Sequence, residues 1–102
     1  MPYRNRLTHQ RIISSMTKIY IYCLFDEDDN FHGVYSSLKA VHRDALKIAN
    51  SSNAGVYLET PKGMMQPTLT TLRNTFKGLC DIVVKYRSGR RVAKILKTRI
   101  KE

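Results

Sequence analysis

The C-terminal segment of the chain, residues 85–101, carries eight Lys or Arg residues and no acid. A block of like charge usually stays disordered when it has nothing to bury. Here Val92, Ile95, Leu96 and Ile100 interrupt the charges, so the segment can dock on a core and keep its cations at the surface. A folded element with a dense positive face is typical of proteins that bind a polyanion. The alternative is a solubilising surface that binds nothing specific.

The local structure of this segment follows from its turn residues. The pair Ser88-Gly89 suits a two-residue hairpin turn, which predicts strands at residues 81–87 and 90–100. The apolar positions of the second strand also match one face of a helix, so a C-terminal helix is the alternative.

The net charge of +10 is concentrated at the two ends of the chain. Residues 1–15 contain three Arg and no acid, and residues 61–102 contain eleven Lys or Arg against two acids, whereas residues 16–60 are slightly acidic. A length of 102 residues suffices for one modest core. We predict a basic flexible N-terminal arm at residues 1–15, followed by a single α+β nucleic-acid-binding domain at residues 16–102. Met16 offers a second translation start directly before the first strand.

The clearest strand is at residues 17–25, where β-branched and aromatic residues alternate. We predict that Ile19, Ile21, Cys23 and Phe25 face the core. The other predicted elements are a short extended piece at residues 31–35, a helix at 36–50, a strand at 55–60, a loop at 61–67 and a helix at 68–77 that Gly78 ends. The chain order β-α-β-α-β-β predicts an α+β fold, a single small domain with both helices on one face of a small sheet.

Several classes of protein are disfavoured by what the sequence lacks. No apolar run approaches the roughly twenty residues of a membrane span. Cys23 and Cys80 are expected to be reduced, structural thiols, which indicates a cytoplasmic protein. The acidic cluster at residues 26–30 is predicted to be a turn, because it lacks the glycine and distant Glu of a calcium loop. The three histidines show no ligand spacing, so we expect no metal, no cofactor and no enzymatic activity.

Candidate binding residues come from the predicted sheet and its basic end. The outward face of the sheet is expected to carry Tyr20, Tyr22, Tyr57 and Lys85, unless the arm or a second subunit covers it. Rings among cations are what unpaired bases stack on, at roughly 1–3 kcal/mol per base. The cations predicted to neutralise phosphates are Arg87, Arg90, Arg91, Lys94, Lys97 and Arg99, with Lys85, Arg73 and Lys77 at the margin.

The predicted second helix offers another surface. Arg73 and Asn74 can read base edges in a major groove, and Thr70 and Lys77 suit phosphates. The alternative is an ordinary solvated helix face.

Four features of the sequence form a recognisable pattern: Ile-Tyr-Ile-Tyr at residues 19–22, the acidic turn, Phe-His-Gly-Val-Tyr-Ser-Ser at residues 31–37 and the helix at residues 68–78. In this pattern the chain resembles the small modular DNA-binding repeats attached to homing endonucleases. The resemblance implies a hairpin with two helices, of which the second faces DNA. The sequence departs from the repeats by inserting residues 54–67 between the helices.

Residues 16–102 also resemble, in size and basicity, the early accessory proteins of large tailed phages. Among these are the TifA-like RNA-binding inhibitors of the ToxN endoribonuclease. This resemblance implies an antagonist of a host toxin that acts through bound RNA, with the basic C-terminal residues as contacts.

The sequence therefore predicts a non-enzymatic nucleic-acid-binding protein. RNA or single strands are favoured over duplex DNA, because a Tyr-bearing sheet face suits exposed bases. The alternatives are a protein-directed inhibitor that binds an acidic surface of a host enzyme, and a sequence-specific DNA-binding module. The oligomeric state stays open, a dimer included.

Overall fold

The computed structural model describes residues 19–50 and 55–100 of the chain. Within them the elements are β1 (Tyr20–Phe25), β2 (Phe31–Tyr35), α1 (Leu38–Asn50), β3 (Tyr57–Thr60), β4 (Gly63–Met65), α2 (Leu69–Phe76), β5 (Ile82–Ser88) and β6 (Arg91–Arg99). The strands form one antiparallel sheet in the order β2-β1-β6-β5-β3-β4. The predicted α+β class is confirmed. The arm predicted at residues 1–15 lies outside the described residues.

The C-terminal hairpin is confirmed, and the alternative of a C-terminal helix is wrong. Ser88 pairs with Arg91, so the two turn residues are Gly89 and Arg90, one position later than predicted. Gly89 has a φ of +59°, which the first position of a tight hairpin turn requires and which glycine adopts without strain. The loop predicted at residues 61–67 is partly wrong, since β4 forms within it and pairs with β3.

The turn predicted at residues 26–30 is confirmed, and Asp26 organises it. Asp26 Oδ1 accepts hydrogen bonds from the backbone amides of Asp28 (2.9 Å) and Asn30 (3.0 Å). Asp26 Oδ2 accepts one from Asn30 Nδ2 (3.1 Å) and lies 3.0 Å from His32 Nε2. The contact with His32 and then the Asn30 and Asp28 bonds hold the pKa of Asp26 well below its usual range. The acidic turn is thus fixed by its own side chains.

The helices are capped as the sequence indicates and cover one face of the sheet. Ser37 Oγ accepts a hydrogen bond from the Ala40 amide (3.2 Å), and Thr68 Oγ1 accepts one from the Thr71 amide (3.1 Å). Gly78 follows α2 with a φ of +74°. The core between helices and sheet consists of Leu24, Val41, Ala45, Ala49, Leu58, Leu72, Phe76, Val84, Tyr86, Ala93 and Ile95.

The orientation predicted for the first strand is wrong. Leu24 is buried in the core, and Tyr22 packs against Phe76 of α2 with ring centroids 5.8 Å apart. Side chains alternate along a strand, so Ile21, Cys23 and Phe25 lie on the face that the helices leave uncovered. Both sides of β1 are apolar, and the alternation alone therefore does not say which side the helices cover.

Candidate functional site

Three of the seven described cations of the C-terminal hairpin contact acids within the chain. Arg91 donates a hydrogen bond to Glu27 (2.7 Å), and Lys94 donates one to Asp29 (2.6 Å). On the neighbouring strands, Arg87 donates to Glu59 in the same way. Three of the cations predicted to bind phosphate thus already contact a carboxylate. The acidic turn, which the sequence presents as an isolated cluster, supplies two of these counterions.

Several other cations contact no carboxylate among the described residues. Arg73 on α2 and Lys77 directly after it are both exposed, and Arg99 lies at the end of β6. The others are Lys39, Lys47, Lys62, Lys85, Arg90 and the buried Lys97. A cation without an internal counterion can attract a bound anion without first breaking an ion pair.

A groove of about 420 Å³ lies between α2 and the paired strands β1 and β6. We call it the α2 groove, and it is lined by Tyr22, Leu38, Arg73, Asn74, Phe76, Lys77 and Lys97. Arg73 on α2 and Lys77 at the C-terminal cap of α2 both line this groove. Tyr22 brings an aromatic ring to the same groove from β1. Burial raises the pKa of Tyr22, and the nearby Arg73 opposes that effect.

Tyr20 and Arg99 lie two positions further along β1 and β6 from the groove residues Tyr22 and Lys97. These two residues pair across the strands, so their side chains emerge on the same face as Tyr22 and Lys97. The structure therefore brings together six of the predicted binding residues on the helix side of the sheet: Tyr20, Tyr22, Arg73, Lys77, Lys97 and Arg99.

Lys97 occupies a different position from the one predicted for a phosphate ligand. Its side chain is 6% exposed, and its Nζ donates a hydrogen bond to the carbonyl oxygen of Phe76 (2.7 Å) at the end of α2. The same nitrogen lies 4.3 Å from the centroid of the Tyr20 ring. A cation at a helix C-terminus is favoured by the helix dipole. The prediction that Lys97 is an outward phosphate contact is wrong, because the residue ties α2 to the sheet.

The uncovered face of the sheet, here called the open face, holds the remaining predicted residues of the strands. Tyr57, Lys85, Arg87 and Lys94 lie there, and Tyr57 is opposite Arg87 in the register. The prediction that Tyr20 and Tyr22 share this face is wrong, whereas the placement of Tyr57 and Lys85 is confirmed. Arg90 lies in the hairpin turn. Arg91 lies at the helix-side end of β6, where its Nε also donates a hydrogen bond to the Ile48 carbonyl (3.3 Å).

A second groove, of about 590 Å³, runs along the exposed side of α1. It is lined by Ser37, Lys39, Ala40, His42, Arg43, Leu46, Lys47 and Leu69. His42 contacts the hydroxyl of the buried Tyr86 through Nδ1 (2.6 Å), and burial lowers the pKa of His42. Although larger than the α2 groove, this one lacks an aromatic side chain for stacking apart from His42. Sequence inspection missed it, because α1 was examined only for its buried stripe.

The acidic turn brings the carboxylates of Asp26, Glu27 and Asp28 within 4.8 Å of one another. The oxygens of Asp26 are occupied by the turn itself. The two oxygens of Glu27 accept hydrogen bonds from Arg91 and from the Val92 amide (3.1 Å). The cluster therefore acts through protein hydrogen bonds, as a turn and as a source of counterions.

Comparison with known proteins finds no family model, no curated protein and no solved structure that matches this chain. Across residues 19–50 and 55–100, no helix is long and apolar enough to cross a membrane. Cys23 and Cys80 are both half-buried free thiols.

Proposed function

We propose that the protein binds single-stranded nucleic acid, with RNA favoured, and that the α2 groove is the binding site. The observation that carries this proposal is the convergence of exposed cations that contact no carboxylate with tyrosine rings in one concave site. Arg73, Lys77 and Arg99 supply the positive charge, and Tyr20 and Tyr22 supply the rings.

The charge distribution favours the helix side of the sheet over the C-terminal hairpin as the binding site for a polyanion. A polyanion at the hairpin has to compete with Glu27, Asp29 and Glu59, each of which already contacts a cation there. At the α2 groove no described carboxylate contacts Arg73 or Lys77, so phosphate contacts form without that competition.

The shape of the groove supports a single strand over a duplex. A helix that reads duplex DNA enters the major groove as a protruding element, commonly as the second helix of a helix-turn-helix. Here α2 lines the wall of a concavity, and β3 and β4 separate it from α1 in the sequence. An unpaired base fits beside a ring in such a concavity, and its phosphates can contact the rim.

The resemblance to phage accessory proteins supports a more specific proposal: an antagonist of a host endoribonuclease toxin that acts in the cytoplasm through bound RNA. A protein-directed inhibitor is the rival. Purification distinguishes the RNA-dependent antagonist from the protein-directed inhibitor. The RNA-dependent antagonist co-purifies with nucleic acid and no longer binds the toxin after ribonuclease treatment. Toxin capture that survives ribonuclease supports the rival.

The direct test is fluorescence anisotropy with a labelled oligouridine of about twelve nucleotides. We expect Arg73→Ala/Lys77→Ala to weaken binding about tenfold at low salt, taking about 0.7 kcal/mol for each exposed ionic contact. The matched control is Lys39→Ala/Lys47→Ala, which removes the same charge from an exposed helix outside the α2 groove.

The proposal fails if the nuclease-treated protein binds neither RNA nor single-stranded DNA at low ionic strength. The assignment of the site to the α2 groove is wrong if Lys39→Ala/Lys47→Ala loses as much RNA affinity as Arg73→Ala/Lys77→Ala. A labelled DNA duplex serves as the third ligand, and tighter binding to it would favour the DNA-module alternative.

A further inference from the structure

The open face of the sheet is largely apolar and uncovered among the described residues. Pairing in the register aligns Val34, Cys23, Leu96 and Val83 as one row across β2, β1, β6 and β5. The exposed large apolar side chains on this face are Phe31, Val34, Tyr57, Met64 and Val83, between 42% and 60% exposed. A monomeric protein rarely leaves so continuous an apolar surface in water.

The charged residues of the open face nearly cancel, although the chain carries a net charge of +10. Arg87 contacts Glu59 on the next strand, and Lys94 contacts Asp29 at the rim. Among the cations of this face that the structure describes, only Lys85 contacts no carboxylate. The cations of the α2 groove lie on the opposite side of the sheet. Judged from the described residues, like-charge repulsion between two copies is weakest when their open faces meet.

We propose that the open face is the contact surface for a second copy of the chain. Six strands about 4.8 Å apart and side-chain rows about 6.7 Å apart give a face of roughly 25 by 20 Å, so two copies bury on the order of 1,000 Å². That area meets the limit of about 1,000 Å² for a biological interface and lies below the standard range of about 1,200–2,000 Å², so we expect a weak dimer. An acidic partner fits less well, because the face offers it almost no net charge.

The expected dimer is a sandwich of two sheets with the helices outside. Twisted sheets pack face to face about 10 Å apart, and a twofold axis near Leu96 and Val83 places the aliphatic row of each copy against that of the other. The α2 grooves then point outward on opposite sides. This inference uses a different surface from the proposed function and does not depend on it.

The test is the mass in solution, by sedimentation velocity or light scattering, at about 100 µM protein. The sample is nuclease-treated and kept in about 0.5 M salt, so that nucleic acid does not bridge two copies. We expect about twice the 11.8 kDa chain mass. Val83→Lys and Val34→Lys are expected to give the mass of one chain, because each places a like charge at the contact. Both side chains are exposed in the single chain, so the fold tolerates the change, as circular dichroism would check.

The matched control is Leu79→Lys, which adds the same charge at a residue that is 43% exposed and lies in the loop after α2. This variant is expected to remain dimeric. The inference is overturned if the unmodified chain has the mass of one copy at this concentration, or if both valine variants stay dimeric. It is also overturned if dimers appear only after deletion of residues 1–15, since the arm would then be the occupant of the open face.

Discussion

The salt dependence of RNA affinity distinguishes the α2 groove from the basic hairpin. Three exposed cations, Arg73, Lys77 and Arg99, contact no carboxylate at the groove, while Lys97 is already engaged by the Phe76 carbonyl. Each neutralised phosphate of a single strand contributes about −0.7 to the slope of log K against log salt, so three give about −2. Between about 50 and 200 mM salt the affinity then falls about 18-fold.

Removing Arg73 and Lys77 together leaves Arg99 as the remaining exposed cation of the three. The slope should therefore flatten to about −0.7, and the affinity should fall only about threefold over the same salt interval. Lys39→Ala/Lys47→Ala should keep the slope near −2. The assay is anisotropy of a labelled oligouridine at five or more salt concentrations. If instead all six cations predicted from the sequence made the contacts, the slope would be near −4 to −5; these are Arg87, Arg90, Arg91, Lys94, Lys97 and Arg99. A slope that steep, or equal flattening in both double variants, refutes the assignment of the groove.

Four further predictions concern stability. Burial lowers the pKa of His42 below its ordinary 6.5, so the folded chain takes up this proton less readily than the unfolded chain. The free energy of unfolding that this site contributes is fully present above pH 6.5 and decreases as the pH falls below that value. Urea titrations at pH 7.5 and 5.5 would show the decrease, and His42→Leu would abolish it. Tyr86→Phe removes the hydroxyl that His42 contacts and should cost about 1 kcal/mol, or about 4–8 °C in a thermal melt. Asp26→Ala should lower the melting temperature more than Asp28→Ala, because Asp26 accepts the hydrogen bonds of the turn whereas the carboxylate of Asp28 is exposed. Equal effects would contradict the role of Asp26 in the turn. Leu72→Ala should cost about 2–5 kcal/mol in chemical denaturation, because it empties a fully buried position under α2.

Much of the fold was accessible from local signals in the sequence. Ser37, Thr68 and Gly78 mark helix ends through their own hydrogen bonds and backbone angles, and Gly89 marks the hairpin. These are interactions between residues close in sequence, so the pattern contains them. The strand β4 was missed because it has three residues and is held by pairing with β3.

The sequence did not show which face of β1 packs against the helices, and the faces predicted for Tyr20 and Tyr22 were wrong for that reason. Tyr22 and Ile21 are both suited to a buried face, and the choice depends on Phe76, which lies more than fifty residues away in the sequence. In β6 the apolar residues Ile95 and Leu96 fall on opposite faces, so they did not indicate the side that Lys97 occupies. Side chains alternate along a strand, so the hairpin prediction already implies that the cations of β6 divide between its two faces.

The ion pairs that Arg91 and Lys94 form with acids could also not be predicted from the sequence. Their partners Glu27 and Asp29 lie more than sixty residues earlier, in a cluster that by itself indicates only a turn. Counting charges along the chain therefore overestimates the positive potential of the hairpin, because it does not include long-range ion pairs.

The internal neutralisation of the hairpin has a consequence for how the molecule meets other charged particles. Among the described residues, Glu27 and Asp29 neutralise Arg91 and Lys94 on β6, whereas no described carboxylate contacts Arg73 or Lys77 at the α2 groove. If the proposed groove binds RNA, an approaching strand is attracted more strongly to the cations beside α2 than to the paired cations of β6. The acidic turn would then help to select one orientation of the encounter.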